Sequence, residues 1–381
     1  EATAEPTPKV DVNTKAGDNS TINGKKGNSN NPTIPKNYIP IDTATSTWGD
    51  GSTAPSQDSV NHGLVIKDEK NNEWVWVPVP DVTVMCDTSN TTEYTLCGTT
   101  GDTAVTTNKY SKSGIISGKT RITPGTTSDF REPDLVVGSG TEYDASDTSS
   151  DTYYKTILGK TGTKEQLAQL FADEYKAMIE SVSKYGGFYI GRYELSGTVT
   201  EPTEKPGKTL TKTDWYNLYN ACRSSKLQAS DKVKTQMIWG CQWDVTMNWL
   251  ISSGAKTSNE VNKDSSSWGN YKDSTENAKV TVTEEDGTTT NKYGSKQNTG
   301  YSEYWKANNI YDLAGNCFEW TQEAGYTHYR AVRGGNYSYS GSSNPGSNRY
   351  DYDPALSSGY GTRFSSHFNN KVKIERLILT V

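Results

Sequence analysis

Residues suited to molecular recognition are concentrated in one stretch near the C-terminal end of the 381-residue chain. From residue 325 to residue 370 there is no Lys, Glu, Gln, Met or Trp, and seven tyrosines stand there among many Ser, Gly, Asn and Asp residues. Tyr supplies a large, stiff contact area at low entropic cost, and Ser, Gly and Asn supply adaptable hydrogen bonds, as in antibody loops. Ordinary turns would explain the Gly, Asn, Ser and Asp but not the tyrosines. The composition therefore predicts a ligand-binding surface.

Some residues of this stretch suit a rigid frame. Gly334 and Gly335 suit a positive φ or a close backbone approach, and Pro345 fixes a turn. Arginine side chains can donate forked hydrogen bonds to loop carbonyls. The arginines placed to do so are Arg333, Arg349 and Arg363. We expect these residues to hold the backbone of the stretch in place.

The residues between the frame positions have no evident turn or core role, so they are the predicted ligand contacts. Tyr339, Tyr350, Tyr352 and Tyr360 are the predicted anchors, because aromatic side chains dominate binding energy. Asp351 and Asp353 would add charge complementarity to a basic or hydroxyl-rich partner. For any one position the alternative is an exposed residue without function. The predicted contacts are Tyr337, Ser338, Tyr339, Ser343, Tyr350, Asp351, Tyr352, Asp353, Leu356, Ser358 and Tyr360.

The cysteines and histidines give little support for metal or redox chemistry. Cys222, Cys241 and Cys317 stand beside apolar and aromatic residues and are predicted to be small buried side chains. Cys86 and Cys97 flank a Thr- and Asn-rich segment that a disulfide could close, and the sequence leaves this pairing open. The chain has only three histidines, and no cysteine pair has CxxC spacing. We therefore expect no metal and no cofactor.

Calcium binding is an alternative for the same stretch. Asn348, Asp351 and Asp353 carry oxygen atoms of the type that calcium prefers. The spacing of a known calcium-binding loop is missing. A calcium-dependent glycan-binding lectin is therefore the weaker interpretation.

The clearest element that could support this surface is a helix at residues 164–185. Its sequence, KEQLAQLFADEYKAMIESVSKY, repeats apolar residues at helical spacing. The following Gly186 and Gly187 end the helix, and FYIGRYEL after them predicts a strand. Earlier, residues 62–80 predict a hairpin that ends at a pair of prolines.

The middle of the chain predicts a second helix and a corner. TKTDWYNLYNACRSSK, residues 211–226, has a helical apolar face that Thr211 or Thr213 can cap. Residues 235–253 contain three tryptophans in a short apolar segment and predict a strand-to-helix corner in the core. Residues 280–294 predict a hairpin turning at Glu285, Asp286 and Gly287.

Composition divides the chain into a tether and one domain. Residues 1–36 are rich in Thr, Asn and Pro and have almost no large apolar side chains, so they predict a disordered tether. Residues 37–381 form the predicted domain, with polar insertions at about 87–152 and 252–301. A net charge of −6 with interspersed signs argues against nucleic-acid binding. No apolar run approaches 18 residues, so no membrane span is predicted.

Two motifs resemble the formylglycine-generating-enzyme-like domains. YDLAGNCFEW, residues 311–320, is similar to their D-x-x-G-N-x-x-E-W signature, and RAVRGGNY, residues 330–337, is similar to R-V-x-R-G-G-S-[WY]. The resemblance extends over about residues 63–368. It implies an α+β C-type lectin fold of this type, loop-rich, with small antiparallel sheets and two main helices.

Within that family the chain most resembles the variable proteins of diversity-generating retroelements. GGNYSYSGSSNPGSNR, residues 334–349, and GTRF, residues 361–364, are similar to the motifs that frame their varied segment. In such systems a reverse transcriptase randomises the adenines that it copies from a template rich in AAY codons. The varied positions therefore have NNY codons, which cannot encode Lys, Glu, Gln, Met or Trp. The resemblance thus implies a diversified segment at about residues 337–360.

The resemblance also raises an enzymatic alternative, a sulfatase-modifying oxidase. That oxidase needs a close pair of reactive cysteines in the C-terminal part of the domain, and no cysteine follows Cys317. The iron-dependent relatives need three histidines, whereas His62, His328 and His367 lie in unrelated sequence contexts. We therefore expect no enzyme activity and no catalytic residues.

Together these observations predict a secreted or surface-displayed binding protein. Its partner would be a protein, a cell surface or a glycan, and the tether would hold the domain away from a bacterial envelope, a pilus or a phage tail. A monomer is the default for a domain this polar, with a mean hydropathy of −0.80.

Overall fold

The computed structural model describes residues 20–21, 29, 32–41, 60–87, 95–96, 99–100, 103–104, 157–159, 162, 164–325, 329–354, 361–362 and 364–368. Within these residues the chain folds into four α-helices and several small, mainly antiparallel sheets joined by long loops. This confirms the α+β class predicted from the sequence. None of the described helices is long and apolar enough to cross a membrane.

Ten strands form the two main sheets. In chain order they are β1 (Tyr38–Ile41), β2 (Val65–Asp68), β3 (Glu73–Pro78), β4 (Gly187–Gly191), β5 (Val233–Met237), β6 (Glu319–Gly325), β7 (Tyr329–Arg333), β8 (Arg349–Tyr352), β9 (Gly361–Thr362) and β10 (Phe364–Phe368).

The larger sheet has six antiparallel strands in the order β5-β10-β4-β3-β2-β1. The last described strand, β10, thus inserts between two earlier ones, with Tyr189 opposite Ser366 and Val233 opposite Phe368. Alternate residues of its strands enter two separate apolar clusters: Val75 joins one, whereas Trp74 and Trp76 join the other. Because side chains alternate between the faces of a strand, both faces of this sheet are buried.

The smaller sheet has the order β8-β7-β6-β9 and carries the C-terminal stretch. Strands β6, β7 and β8 pair antiparallel, and β9 joins β6 in parallel. The register places Arg330 opposite Tyr352 and Val332 opposite Tyr350. The two sheets meet where the Gln322 backbone N–H donates to the Ile238 carbonyl at 2.9 Å, just after β5.

The four helices are α1 (Lys164–Tyr185), α2 (Trp215–Cys222), α3 (Gly240–Ser252) and α4 (Ser258–Asn262). Helix α1 has the bounds expected from its periodicity, and Leu167, Phe171 and Tyr175 are buried one turn apart. Gly186 ends it with φ +76°, as predicted. Gly187 then begins β4 so close to β3 that a Cβ would lie 2.4 Å from the Val77 carbonyl oxygen.

Helix α2 is shorter than the predicted helix and has a different cap. Its N-cap is Asp214, whose Oδ1 accepts from the Asn217 backbone N–H at 2.8 Å. Thr211 and Thr213 lie before it, and the chain turns into a 3₁₀ segment at Ser225–Leu227 instead of continuing the helix. The helix ends at Cys222, and the N–H of its C-cap residue Arg223 donates to the Asn220 carbonyl at 3.1 Å.

Short ladders complete the described structure. The predicted hairpin at residues 280–294 is confirmed, with its strands on either side of Gly287. The short antiparallel pairs are Ser20–Thr21 with Thr33–Ile34, Cys86–Asp87 with Thr95–Leu96, Thr99–Thr100 with Thr103–Ala104, Ser196–Gly197 with Pro202–Thr203, Thr281–Thr283 with Thr289–Asn291, and Lys306–Ala307 with Ile310–Tyr311.

Two segments contribute more to the core than their composition suggests. Ile34, inside the predicted tether, is 2% exposed and belongs to the core, so the folded domain begins before residue 36. Val261, Trp268 and Tyr271 lie in the predicted polar insertion at 252–301, yet all three are buried. Much of the other predicted insertion, 87–152, falls outside the described residues.

Candidate functional site

The frame of the C-terminal stretch begins with two glycines, as the sequence predicts. Gly334 and Gly335 have φ values of +85° and +75°. A Cβ on Gly335 would lie 2.3 Å from the Asn344 carbonyl oxygen, so only glycine fits this approach. The Asn348 N–H donates to the Pro345 carbonyl at 2.7 Å, which confirms the predicted turn. We call residues 335–344 the contact loop.

The residues after the contact loop are held by side chains from elsewhere in the fold. Trp243 of α3 donates its indole N–H to the Gly346 carbonyl at 3.0 Å. Arg333 donates to the carbonyls of Asn348, at 2.9 Å, and Ser347, at 3.1 Å. The forked hydrogen bonds predicted for Arg333 are thus confirmed, and Arg363 lies outside the described residues.

The contact loop itself rests on residues 265–273, which we call the cradle. The Ser265 N–H donates to the Gly341 carbonyl at 3.1 Å, and the Gly341 N–H donates to Asp273 Oδ1 at 2.9 Å. The Lys272 N–H donates to the Tyr339 carbonyl at 3.1 Å. A Cβ on Gly341 would lie 2.2 Å from the Ser266 nitrogen, so loop and cradle are in direct backbone contact.

Beneath β7 and β8 lies a buried cluster of four charged side chains, which we call the ionic cluster. Asp244 of α3 accepts from Arg333 Nη2 at 2.6 Å through one oxygen and from Arg349 Nη2 at 2.7 Å through the other. Glu323 of β6 accepts from Arg349 Nε at 2.8 Å and lies 3.7 Å from Arg333 Nη1. The four side chains are almost fully buried, and their formal charges sum to zero.

Burial has an electrostatic cost in this cluster. It lowers the pKa of the Arg333 guanidinium, and the neighbouring Arg349 lowers it further, whereas Asp244 and Glu323 oppose the shift. Arginine nevertheless stays protonated in proteins. Arg349 was expected to donate to loop carbonyls, but the structure shows it donating to these two carboxylates.

Aromatic side chains of the predicted contact set gather around Phe318, next to strand β8 of the smaller sheet. Tyr339 of the contact loop and Tyr352 of β8 both lie against Phe318, with ring centroids 5.7 and 6.2 Å away. The rings of Tyr350 and Tyr352 are 5.0 Å apart. Tyr339 is 42% exposed and Tyr350 is 51% exposed, whereas Phe318 is 2% exposed. The surface therefore has exposed tyrosines over a buried aromatic floor.

The other predicted contacts take several positions. Ser338 and Ser343 are exposed on the contact loop, and Tyr337 and Asp353 are partly buried. The Tyr337 N–H donates to the Asn316 carbonyl at 3.1 Å, which fixes the start of the loop. Asp351 lies on β8 opposite Ala331, and its side chain is outside the described part. Leu356, Ser358 and Tyr360 lie wholly outside the described residues.

The YDLAGNCFEW motif forms a buried polar network beside the contact loop. Asn316 donates to Glu194 Oε2 at 2.9 Å and accepts from Asn270 Nδ2 at 3.1 Å. Asp312 Oδ2 accepts from the Thr299 hydroxyl at 2.9 Å. A buried network of this kind gives the loop a rigid base.

The predicted state of three cysteines is confirmed. Cys222, Cys241 and Cys317 are buried thiols. Burial, followed by the nearby Glu194 carboxylate, raises the pKa of Cys317 well above its usual value. Cys97, and with it the open disulfide question, lies outside the described residues, as does His328. Among the residues that the structure describes, no group of three His, Cys, Asp or Glu side chains could hold a metal ion.

Several residues that support the surface were not predicted from the sequence. Asp244 and Glu323 balance the arginines, Tyr271 and Asp273 hold the contact loop, and Phe318 forms the aromatic floor. One signal was available for Asp244, which stands alone as a carboxylate in the apolar segment 236–251. A lone carboxylate among apolar residues indicates a buried ion pair, because an unpaired one would be too costly. Its partners, however, are 89 and 105 residues away along the chain.

No model of a known protein family matches the chain, and no curated protein is significantly similar to it.

Proposed function

We propose that the chain is a secreted or surface-displayed binding protein whose ligand site is the tyrosine surface around Tyr339, Tyr350 and Tyr352. In this proposal its domain has the C-type lectin fold of the formylglycine-generating-enzyme-like type. The segment 337–360 is the part diversified by a retroelement. The protein attaches to another protein, a cell surface or a glycan, and performs no catalysis.

The observation that carries the proposal is that exposed contact side chains stand on a backbone that buried contacts hold in place. Tyr339 and Tyr350 are exposed, yet the backbone that presents them is held by the ionic cluster, the cradle and the Trp243 indole. Binding surfaces gain affinity when stiff aromatic side chains stand on a preorganised backbone, because less entropy is lost on association. A buried group of charges such as the ionic cluster is not required to form an ordinary surface loop.

The thiols favour a binder over the oxidase. Thiol chemistry requires an accessible thiolate, and the pKa of Cys317 is raised by burial, which favours the unreactive thiol. Cys222 and Cys241 are buried as well, so none of these three cysteines offers a reactive pair at the surface.

An unbiased selection tests the proposed surface. A phage-displayed random peptide library and a glycan array are screened against the whole protein, and bound peptides or glycans are then tested on two double variants. The first is Tyr339→Ala/Tyr350→Ala. The matched control is Tyr301→Ala/Tyr304→Ala, which removes two tyrosines that are 40% and 56% exposed at a different place.

We expect the first variant to lose at least about 30-fold in affinity, the size of a binding hot spot, and the control to bind like the wild type. Urea unfolding of both variants shows that the fold is retained. If the selected probes lose affinity equally in both variants, or only in the control, this surface is not the binding site.

The retroelement part of the proposal has a separate test at the level of the gene. A near-copy of the codons for residues 337–360 should lie close by and differ only where that copy has adenine. A gene whose neighbourhood holds no such copy contradicts diversification but leaves the binding surface as proposed.

A further inference from the structure

One buried hydroxyl joins the two ends of the contact loop. Tyr271 of the cradle is 0% exposed, and its hydroxyl lies 2.9 Å from the Gly334 carbonyl oxygen and 2.8 Å from the Asn344 carbonyl oxygen. Its single proton serves both acceptors in a three-centre hydrogen bond. Burial raises the pKa of Tyr271 well above its usual value, so the hydroxyl remains a donor.

The two carbonyls mark where the contact loop leaves the frame and where it returns. Gly334 is the last residue after β7 before the loop, and its carbonyl also accepts from the Gly315 N–H at 2.7 Å. Asn344 closes the loop, and its N–H donates to the Ser340 carbonyl at 3.1 Å. Between them stand four of the predicted contacts: Tyr337, Ser338, Tyr339 and Ser343.

The ring of Tyr271 supports the same closure through packing. Its Cε1 would lie 3.0 Å from a Cβ on Gly335, so the ring fills the space directly under the first loop residue. Replacing Tyr271 by Phe keeps this packing and removes only the hydroxyl. The substitution therefore separates the hydrogen bonds at the loop ends from the core beneath them.

We propose that Tyr271 is a positioning residue for ligand binding, whose hydroxyl keeps the ends of the contact loop together and so holds Tyr339 and its neighbours in the binding arrangement. This rests on the proposed function, since it names what orders the same surface. Without the hydroxyl, two buried carbonyls lose a donor and the loop opens more often by local fluctuation. The fraction of molecules in the binding arrangement falls, and the apparent affinity falls with it.

Asp273 gives a second, independent way to loosen the loop. Its Oδ1 accepts from the Gly341 N–H at the loop tip, at 2.9 Å, and the side chain is exposed, so its removal does not disturb the core. Asp273→Ala removes the acceptor, whereas Asp273→Asn keeps an oxygen in the same place. The conservative variant should therefore restore what the alanine variant loses.

The experiment uses a synthetic Fab as a probe of the surface. The Fab is selected on the whole wild-type protein and counter-selected on Tyr339→Ala/Tyr350→Ala, so that it reads this surface whatever the natural partner is. Its affinity is measured for Tyr271→Phe, Asp273→Ala and Asp273→Asn. Hydrogen exchange of the Tyr339, Gly341 and Asn344 amides is measured in parallel, because all three are hydrogen-bonded in the closed loop.

Tyr189→Phe is the matched control. Tyr189 is equally buried and donates its hydroxyl to one backbone carbonyl, that of Thr33 at 3.1 Å, in the larger sheet. A purely structural loss of a buried tyrosine hydroxyl would appear in this variant too. We expect Tyr189→Phe to leave both the Fab affinity and the hydrogen exchange of the loop amides unchanged.

We expect Tyr271→Phe and Asp273→Ala each to weaken Fab binding about three- to tenfold, the usual effect of losing one hydrogen bond, and to speed exchange of the loop amides. Asp273→Asn should bind almost like the wild type. Wild-type affinity of Tyr271→Phe, or unchanged loop exchange, overturns the inference, as does an equal effect in Tyr189→Phe. Because the Fab needs no natural partner, failure of the proposed binding function would show instead in the peptide and glycan screens.

Discussion

Removing the charge of Asp244 should test the ionic cluster most directly. Asp244 contacts both arginines, Arg333 through one oxygen and Arg349 through the other, at 2.6 and 2.7 Å. Asp244→Asn keeps the shape but replaces one accepting oxygen by a donating NH₂ group. That group would face a guanidinium donor, and the buried cluster would carry a net positive charge.

The expected cost follows from the burial of all four charges. Breaking a buried ion pair from one side costs about 3–5 kcal/mol, because the remaining charge has neither water nor a partner. Against a total stability of about 5–15 kcal/mol for a typical protein, this is a large fraction. Arg349→Gln should cost a similar amount for the same reason, since it leaves two carboxylates facing the single charge of Arg333.

The double variant Asp244→Asn/Arg349→Gln should be less destabilised than the sum of the single variants. It returns the cluster to neutrality, with Arg333 and Glu323 left as a pair 3.7 Å apart. For residues in contact, an interaction energy of about 0.5–3 kcal/mol is typical, and we expect a value in the upper half of this range.

Urea unfolding followed by tryptophan fluorescence measures these free energies, provided that the slope with urea is the same in all variants. The control is Glu201→Gln, which removes an exposed ion pair with Lys226 at 2.8 Å and should cost no more than about 1 kcal/mol. If Asp244→Asn loses no more than this control, the assignment of the cluster as a buried support is wrong. Strict additivity in the double variant would show that the charges do not act together.

Three further outcomes are expected. Gly287→Ala should lower the free energy of unfolding by about 1 kcal/mol, because it forces a left-handed conformation in open space. Gly335→Ala should lower the free energy of unfolding by about 1–3 kcal/mol more than Gly287→Ala in the same urea assay, because its Cβ would also clash with the Asn344 carbonyl. Equal losses in the two variants would contradict this close approach. A thiol reagent followed by peptide mass analysis should leave the three buried cysteines unmodified until urea unfolds the protein, and native modification of any of them would contradict their burial.

Elements whose signals lie within a few residues were predictable from the sequence. Helix α1 was found with its bounds, because its apolar spacing and the two glycines after it are local features. The corner from β5 into α3 and the hairpin around Gly287 were found for the same reason. The positive φ values of Gly334 and Gly335 followed from residue type alone.

The support of the candidate site could not be predicted in this way. Tyr271 looked like part of a polar insertion, yet it holds backbone atoms 63 and 73 residues further along the chain. Ile34 looked like part of a tether because its neighbours are polar. It is buried because it packs in the same core cluster as side chains of the larger sheet. Neither residue carries a local signal of its partner.

Local sequence features specify the tyrosine-rich stretch, its glycine and proline frame, and the helices and hairpins with a clear periodicity. The folded chain is what brings Tyr339, Tyr350 and Tyr352 together over Phe318 and places Asp244 and Glu323 beside the arginines beneath them. The two kinds of feature differ in the sequence distance over which they act. Periodicity and turn chemistry act over a few residues, whereas the pairing of buried charges and rings depends on which distant segments the sheets bring to the same place.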